Sequence, residues 1–341
     1  MTGYIRPLER LTRNDEPSFG GKSANLGELL AAEIPVPPGF AISTEAYETF
    51  VREAGLPGTI DDALAGATVA AASRTIGDAM RAAPVPDEVR AQVSEQYARL
   101  GDGVPVAVRS SAVGEDSAEA TFAGQQETYL WVRGADSVCD AVRDCWISLY
   151  SPPAISYRAR LGDVAHVPVM GVTVQVMVDA EVSGVMFTCN PVSGDPSMVA
   201  INASWGLGLA VVGGEVTPDD FLVSKVTGEV VREHVHAKDV EYVPDPGGAG
   251  TVRVDVSDDR RELVCLDRDA LTRLIDLGKR VERHFGGHQD VEWAIARGGA
   301  RELFVVQARP VTALKKKQEK PKPASAMSLI MSTFGAGTPK D

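Results

Sequence analysis

What this chain lacks sets the first limits. It has four cysteines in 341 residues. Cys139, Cys145, Cys189 and Cys265 form no CxxC pair and have no histidine at metal-ligand spacing. A zinc ribbon and a disulfide scaffold are excluded, and the four read as small buried hydrophobes of a reducing compartment. No charged-then-apolar segment opens the chain, and no apolar run approaches ~20 residues, so neither a secretion signal nor a membrane span is expected. That makes a cytoplasmic protein the expectation. Basic charge is scarce: Lys and Arg total 34 against 47 Asp and Glu, a net charge of −13. Only Lys315, Lys316 and Lys317 cluster, so no face suits a nucleic acid. The GxxxxGK[ST] phosphate loop is missing, and two glycines at Gly206 and Gly208 do not make a dinucleotide fingerprint.

What is present is ordinary and soluble in character. Hydrophobic residues make up 44% and charged residues 24%, enough to bury a large core and to build two lobes. An acidic chain of this kind can still hold a nucleotide, because a few buried cations and a divalent metal govern the local field.

Three stretches point to one ligand. Residues 19–30, FGGKSANLGELL, place two glycines before Lys22 and a helical stripe of Leu26, Leu29 and Leu30 after it. A helix N-terminus carrying a lysine is an anion site, and equally a capped surface helix. Residues 108–130, VRSSAVGEDSAEATFAGQQETYL, put Arg109 at the end of an apolar strand, among hydroxyls and small residues. A guanidinium forks onto phosphate oxygens there as lysine cannot, and the same letters also describe a solvated loop. Residues 267–311 carry the third. The stripe Leu271, Leu274, Ile275, Val281 and Phe285 predicts a helix closed by Gly286, followed by two alternating strands. If Gly299 and Ala300 make a two-residue type II′ turn, Glu292 lies across from Gln307 with Arg309 on the same face. Val291, Trp293 and Ile295 then face a core together with Phe304, Val306 and Ala308, whereas an odd-length loop would flip the register. A carboxylate beside an amide oxygen suits Mg²⁺, which takes its other ligands from water and phosphate.

Between these lie supporting elements. Helices are expected around 44–54, 61–80, 86–100 and 138–161. Residues 167–178, VPVMGVTVQVMV, predict a buried strand whose one amide, Gln175, needs partners: a flat heterocycle bonded to the backbone, or ordinary core neighbours. Ser183 and Gly184 read as a turn into a strand at 185–188. Residues 221–235 read as a hairpin.

Taken together, GGKSANLGEL, PVPPGF, VRSSAVGEDSAEATFAGQQETYL, SGVMFTCNPVSG, GLG with VTPDDF, and QDVEWAI with VVQARPVT make the chain resemble a known family. It is the N-terminal nucleotide-binding domain of phosphoenolpyruvate synthase, pyruvate phosphate dikinase and rifampin phosphotransferase, and the resemblance covers residues 20–311. It implies an α+β, ATP-grasp-like fold with the nucleotide cleft between two lobes, 1–165 and 166–314, and a linker-like or disordered tail at 315–341. It implies ATP and Mg²⁺ as cofactors. Lys22 and Arg109 would hold phosphates beneath a loop from Gly124 to Thr128, and Arg309 would complete the grip; these three are the catalytic set. Gln175, Val176, Met177 and Val178 would line the adenine slot. Glu292 and Gln307 would hold the metal, with Asp290 nearby. Leu209 departs from the glutamate many members carry after GLG, and His288 from a frequent proline.

The family's threonine-serine-histidine phosphorylation motif does not occur, and none of the five histidines stands in such a context. The resemblance therefore implies the ATP-cleaving subunit of a divided dikinase, as in phenylphosphate synthase. It would pass the β-phosphoryl of ATP to a histidine on a partner that also binds the acceptor, pyruvate or a phenolic compound. Two other classes stand beside it: a nucleotide sensor without turnover, and an ATP-grasp ligase forming an acyl phosphate and ADP.

Overall fold

The computed structural model describes residues 3–66, 68–112, 127–160 and 168–311. The fold is α+β, with a five-stranded and a six-stranded sheet flanking one cleft.

Five short strands build the first sheet: β1 (Ile5–Pro7), β2 (Gly39–Ile42), β3 (Val106–Ala112), β4 (Thr128–Val132) and β5 (Met170–Val176), in the order β1-β2-β5-β3-β4. Every pairing is antiparallel, so side chains alternate between two faces along each strand. One face carries Val106, Val108, Val172 and Val174 into a core with Phe40, Phe50 and Trp146. Burying each such side chain contributes about 1.5–3 kcal/mol. The helices Thr44–Glu53, Val69–Ala82, Asp87–Leu100 and Ala135–Ser148 supply much of the rest of that core. Pro152 and Pro153 open a further helix, Pro152–Arg160, where a missing N–H costs nothing.

The second sheet takes β6 (Ala180–Phe187), β7 (Met198–Trp205), β8 (Asp219–Ser224) and β9 (Val230–His234). A separate two-stranded sheet, β10 (Val240–Pro244) with β11 (Thr251–Asp255), follows. After the helix Arg268–Phe285 come β12 (Gln289–Ala296) and β13 (Leu303–Pro310), which complete the order β13-β12-β6-β7-β8-β9. That helix begins where the Asp267 carboxylate accepts the Ala270 N–H at 2.8 Å and ends at Gly286, φ 70°. Its stripe of Leu271, Leu274, Ile275 and Val281 packs on Val182, Met186, Ile201, Phe221 and Trp293. Among the described residues no helix is long and apolar enough to cross a membrane, and all four cysteines are free and buried.

One buried ion pair ties the irregular segments to this sheet. Lys238 and Asp219 are both fully buried, 2.6 Å apart, and the Asp219 carboxylate also accepts the backbone N–H groups of His236 and Cys265.

Three details differ from the sequence reading. The strand at 170–176 pairs with β2 and β3, so it belongs to the first sheet, and the chain changes sheets between Val176 and Ala180 rather than near 165. An apolar run says that a strand is buried, not which sheet it joins. Ser183 and Gly184 are not a turn but mid-strand in β6; a Cβ on Gly184 would stand 1.9 Å from the Asn202 carbonyl oxygen, so glycine is there for close strand approach. Finally, Leu8, Leu11, Phe19, Leu26 and Leu29 pack into the core of the second sheet. The helix Gly21–Ala31 is thus a wedge between the lobes, with Ser23 Oγ 2.6 Å from Thr173 Oγ1 of β5.

Candidate functional site

The cleft, ≈ 640 Å³, is bounded by the face of each sheet that is turned away from its own core. Arg109 on β3 is paired with Thr128 on β4 and Thr173 on β5, so the three share a face. Ala107 and Gln175, paired in the same way, follow on that face. From the second sheet come Ser183 and Val185 of β6 and Glu292 and Ala294 of β12.

The lysine is fixed from both sides. Gly20, φ 78°, caps the helix Gly21–Ala31, and a Cβ there would stand 2.0 Å from the Ser111 carbonyl oxygen of β3. Lys22 is only 6% exposed; its Nζ donates to the Ser110 carbonyl at 2.8 Å, and the Ser23 N–H donates to Ser111 Oγ at 3.3 Å. The helix start is therefore bolted to the strand that carries Arg109. Both cations line the cleft.

Glu292 and Gln307 are opposite partners on β12 and β13, but not by way of a two-residue turn. Ile295 pairs with Leu303 and the Ala296 N–H donates to the Glu302 carbonyl, leaving five residues, 297–301, in the loop. That odd loop flips the register, and a bulge restores it: Trp293 pairs with Val305 while Glu292 pairs with Gln307, so Val306 is the extra residue. In consequence Val305, not Phe304 or Val306, enters the core with Val291, Trp293, Ile295 and Ala308.

The bulge has a second effect. Arg109 Nη1 donates to the Val306 carbonyl at 3.2 Å, joining the two sheets, and lies 4.0 Å from Glu292 Oε2. Its Nε is buried with no hydrogen-bond partner among the described residues, an orphan donor beside an open cleft. Arg309 is half exposed and bonds through Nε and Nη2 to Asp290 Oδ2, both at 2.9 Å. Burial pushes the Asp290 carboxyl above its ordinary value, with nearby Glu292 adding to the rise, and Arg309 opposes it. Asp290 is thus engaged with Arg309.

The donor set at Glu292 and Gln307 fits a Mg²⁺ ion that draws most ligands from elsewhere. Neither side chain makes a hydrogen bond among the described residues, and no group of three or more His, Cys, Asp or Glu there could hold a metal.

The other end of the cleft is apolar. Val176 and Met177 spend their N–H groups on the carbonyls of Pro38 and Pro105, at 2.8 and 2.9 Å. The Val178 N–H and Met177 carbonyl make no hydrogen bond among the described residues, and both residues line the cleft. Gln175 is buried and donates to the Pro37 carbonyl at 3.4 Å. Leu207, Leu209, Val211 and Val212 close this end, together with Ala294. Sequence reasoning did not place them in the site; the signals were the glycine bracket of Gly206 and Gly208 and the departure at Leu209. Thr128 lines the cleft, and Gly124 lies outside the described residues.

No described histidine lines the cleft. His284 Nε2 is 3.2 Å from Glu28, His288 Nδ1 2.6 Å from Glu282, and His236 Nδ1 2.9 Å from the Pro218 carbonyl; His166 lies outside the described residues.

Residues 16–328 match the family model described as "Pyruvate phosphate dikinase, AMP/ATP-binding domain". A probable phosphoenolpyruvate synthase of Methanocaldococcus jannaschii is 41% identical over 93% of this chain and 27% of its own length. The phosphoenolpyruvate synthase of Pyrococcus furiosus is 37% identical over 98% of this chain and 47% of its own. The chain thus spans less than half the length of these relatives. Among solved structures, D-alanyl-alanine synthetase A of Vibrio cholerae aligns at a TM-score of 0.29 and 11% identity, over 86% of this chain and 58% of that one, a likeness too distant to assign anything here.

Proposed function

Because the chain belongs to the family of the pyruvate phosphate dikinase AMP/ATP-binding domain, we propose that it carries the ATP half-reaction of a dikinase-type phosphotransfer. Its β-phosphoryl acceptor is a histidine on a partner polypeptide. The observation behind this reading is that Lys22, Arg109, Glu292, Gln307 and Arg309, from four separate elements, meet at one end of a cleft that no described histidine enters.

In this reading the adenine lies in the apolar end, against the free N–H of Val178 and carbonyl of Met177. Lys22 and Arg109 bind the phosphate tail, and the orphan Nε of Arg109 finds its acceptor there. Arg309, held by Asp290, orients the terminal phosphate. Glu292 and Gln307 would hold Mg²⁺, which when bound neutralises and aligns phosphate oxygens. The chain's own contribution is positioning and charge neutralisation, not covalent chemistry. The bond from Pβ to the α,β-bridging oxygen breaks and AMP leaves with that oxygen as Pβ becomes bonded to the histidine nitrogen; water then cleaves the Pβ–O–Pγ bridge, releasing the γ-phosphate as orthophosphate. Pyruvate or a phenolic compound on the partner is the proposed final acceptor.

Product analysis tests it. AMP and orthophosphate, formed only when a histidine-bearing partner is present, are the expected result. ADP with a carboxylic acid substrate would instead mean a ligase, and tight ATP binding without turnover under any pairing would mean a sensor.

A further inference from the structure

Behind the apolar end of the cleft, the backbone of Trp131 is strained. Val108 pairs with Tyr129 but Val106 with Val132, so β4 carries one extra residue. Within that irregularity Trp131 sits at φ 59°, a left-handed conformation that glycine adopts freely and a tryptophan only against a steric penalty. A bulge whose sole task was to bend the edge strand would be better served by glycine, so the ring must return something.

Two contacts show what it returns. The indole is 6% exposed in a cluster with Ala180, Leu207 and Ala294, to which Met177 and Val178 add their side chains. These neighbours line the cleft, drawn from the second sheet and from the segment that joins β5 to β6. The Trp131 carbonyl also accepts the N–H of Gly250, at the tip of the β10–β11 hairpin, at 3.2 Å. The same hairpin bonds the other side of the slot: the Tyr242 carbonyl accepts the Leu207 N–H at 2.9 Å, and the Tyr242 hydroxyl donates to Glu215 at 2.7 Å.

We propose that Trp131 is a positioning residue for the nucleotide base, and that the β10–β11 hairpin anchored on it straps the two lobes together at the base end of the cleft. This rests on the ATP reading above. It assigns base recognition to residues that do not themselves reach the ligand, and it leaves the phosphate end independent of them.

The test is titration of the full chain with Mg·ATP and with magnesium tripolyphosphate, which has no base. Trp131→Ala should weaken ATP about tenfold and leave tripolyphosphate unchanged, with Trp131→Phe recovering much of the loss. Equal weakening of both ligands, or unchanged ATP binding, overturns the proposal. Should the variants not fold, hydrogen exchange in the unmodified chain decides. Mg·ATP should slow amide exchange across 240–255 and tripolyphosphate should not; an ATP complex with unaltered exchange there overturns it. If the unmodified chain binds neither ligand, the ATP reading itself fails and takes this inference with it, whereas intact ATP binding by a folded Trp131→Ala protein removes the inference alone.

Discussion

Arg109 of β3 reaches across the cleft to the carbonyl of Val306, 3.2 Å away, the one residue of β13 that the bulge leaves out of register. A distortion in one lobe thereby supplies the acceptor that steadies the main cation of the other. The contact also fixes how Arg109 faces Glu292, at 4.0 Å, too far for a hydrogen bond and near enough for attraction.

Arg109→Lys keeps the charge and loses the planar fork. ATP affinity should fall by about tenfold or more, while losing the bond to Val306 costs only about 1 kcal/mol of stability. Titration calorimetry beside urea denaturation checks both. A variant that binds ATP as the parent does would remove Arg109 from the phosphate grip.

Glu292→Gln keeps the size and removes the negative charge. Its pairing with Arg109 is partly exposed and long, so stability should change by no more than about 1 kcal/mol. If the proposed function holds, transfer to a partner histidine should drop about a hundredfold or more, with the Mg²⁺ requirement displaced to higher concentration. A Mg²⁺ titration of AMP formation reads this directly, and an unaltered curve would count against the metal assignment.

Asp290 sets a pH dependence. Its carboxyl is raised in the folded state, chiefly by burial. Between the unfolded value of about 3.9 and the raised one, the native chain holds a proton that the unfolded chain has released. This contribution to stability is complete below the unfolded value and is lost as pH rises through the folded one. Relative to the parent, Asp290→Asn should therefore gain stability as pH climbs from about 4 to 7. The bond to Arg309 favours the ionised carboxylate and is already part of the folded-state value, so it moderates this slope and does not reverse it. Urea midpoints of both proteins across the range give the slope, and parallel curves would contradict the raised value.

Lys238→Met leaves the buried Asp219 carboxylate without its cation and should cost about 3–5 kcal/mol. Pairing it with Asp219→Asn should restore part of the loss, because no unpaired charge is then buried, although the single amide oxygen can accept from only one of His236 and Cys265, which bond different carboxylate oxygens. A double-mutant cycle measures the coupling, and strictly additive losses would mean that the pair contributes nothing jointly.

Much of this molecule was readable in the linear order of its residues. Apolar spacing set out the helix Arg268–Phe285 with its glycine stop, because helical period and cap chemistry are local. Alternation and small-residue clusters marked Lys22, Arg109 and the β12–β13 pair, and the family motifs joined them. What the chain order could not give was anything depending on two distant segments at once. Glu292 does stand opposite Gln307, yet the reason is an odd loop cancelled by a bulge, and a bulge is set by what Arg109 and the core require of β13, not by its own letters. The sheet to which β5 belongs, the wedge of helix Gly21–Ala31 between the lobes, the apolar wall from Leu207 to Val212 and the anchoring of Trp131 by Gly250 arise likewise from packing across long separations. Local sequence chose the elements and their chemistry; burial and backbone hydrogen bonding between remote strands decided which of them would share a cleft.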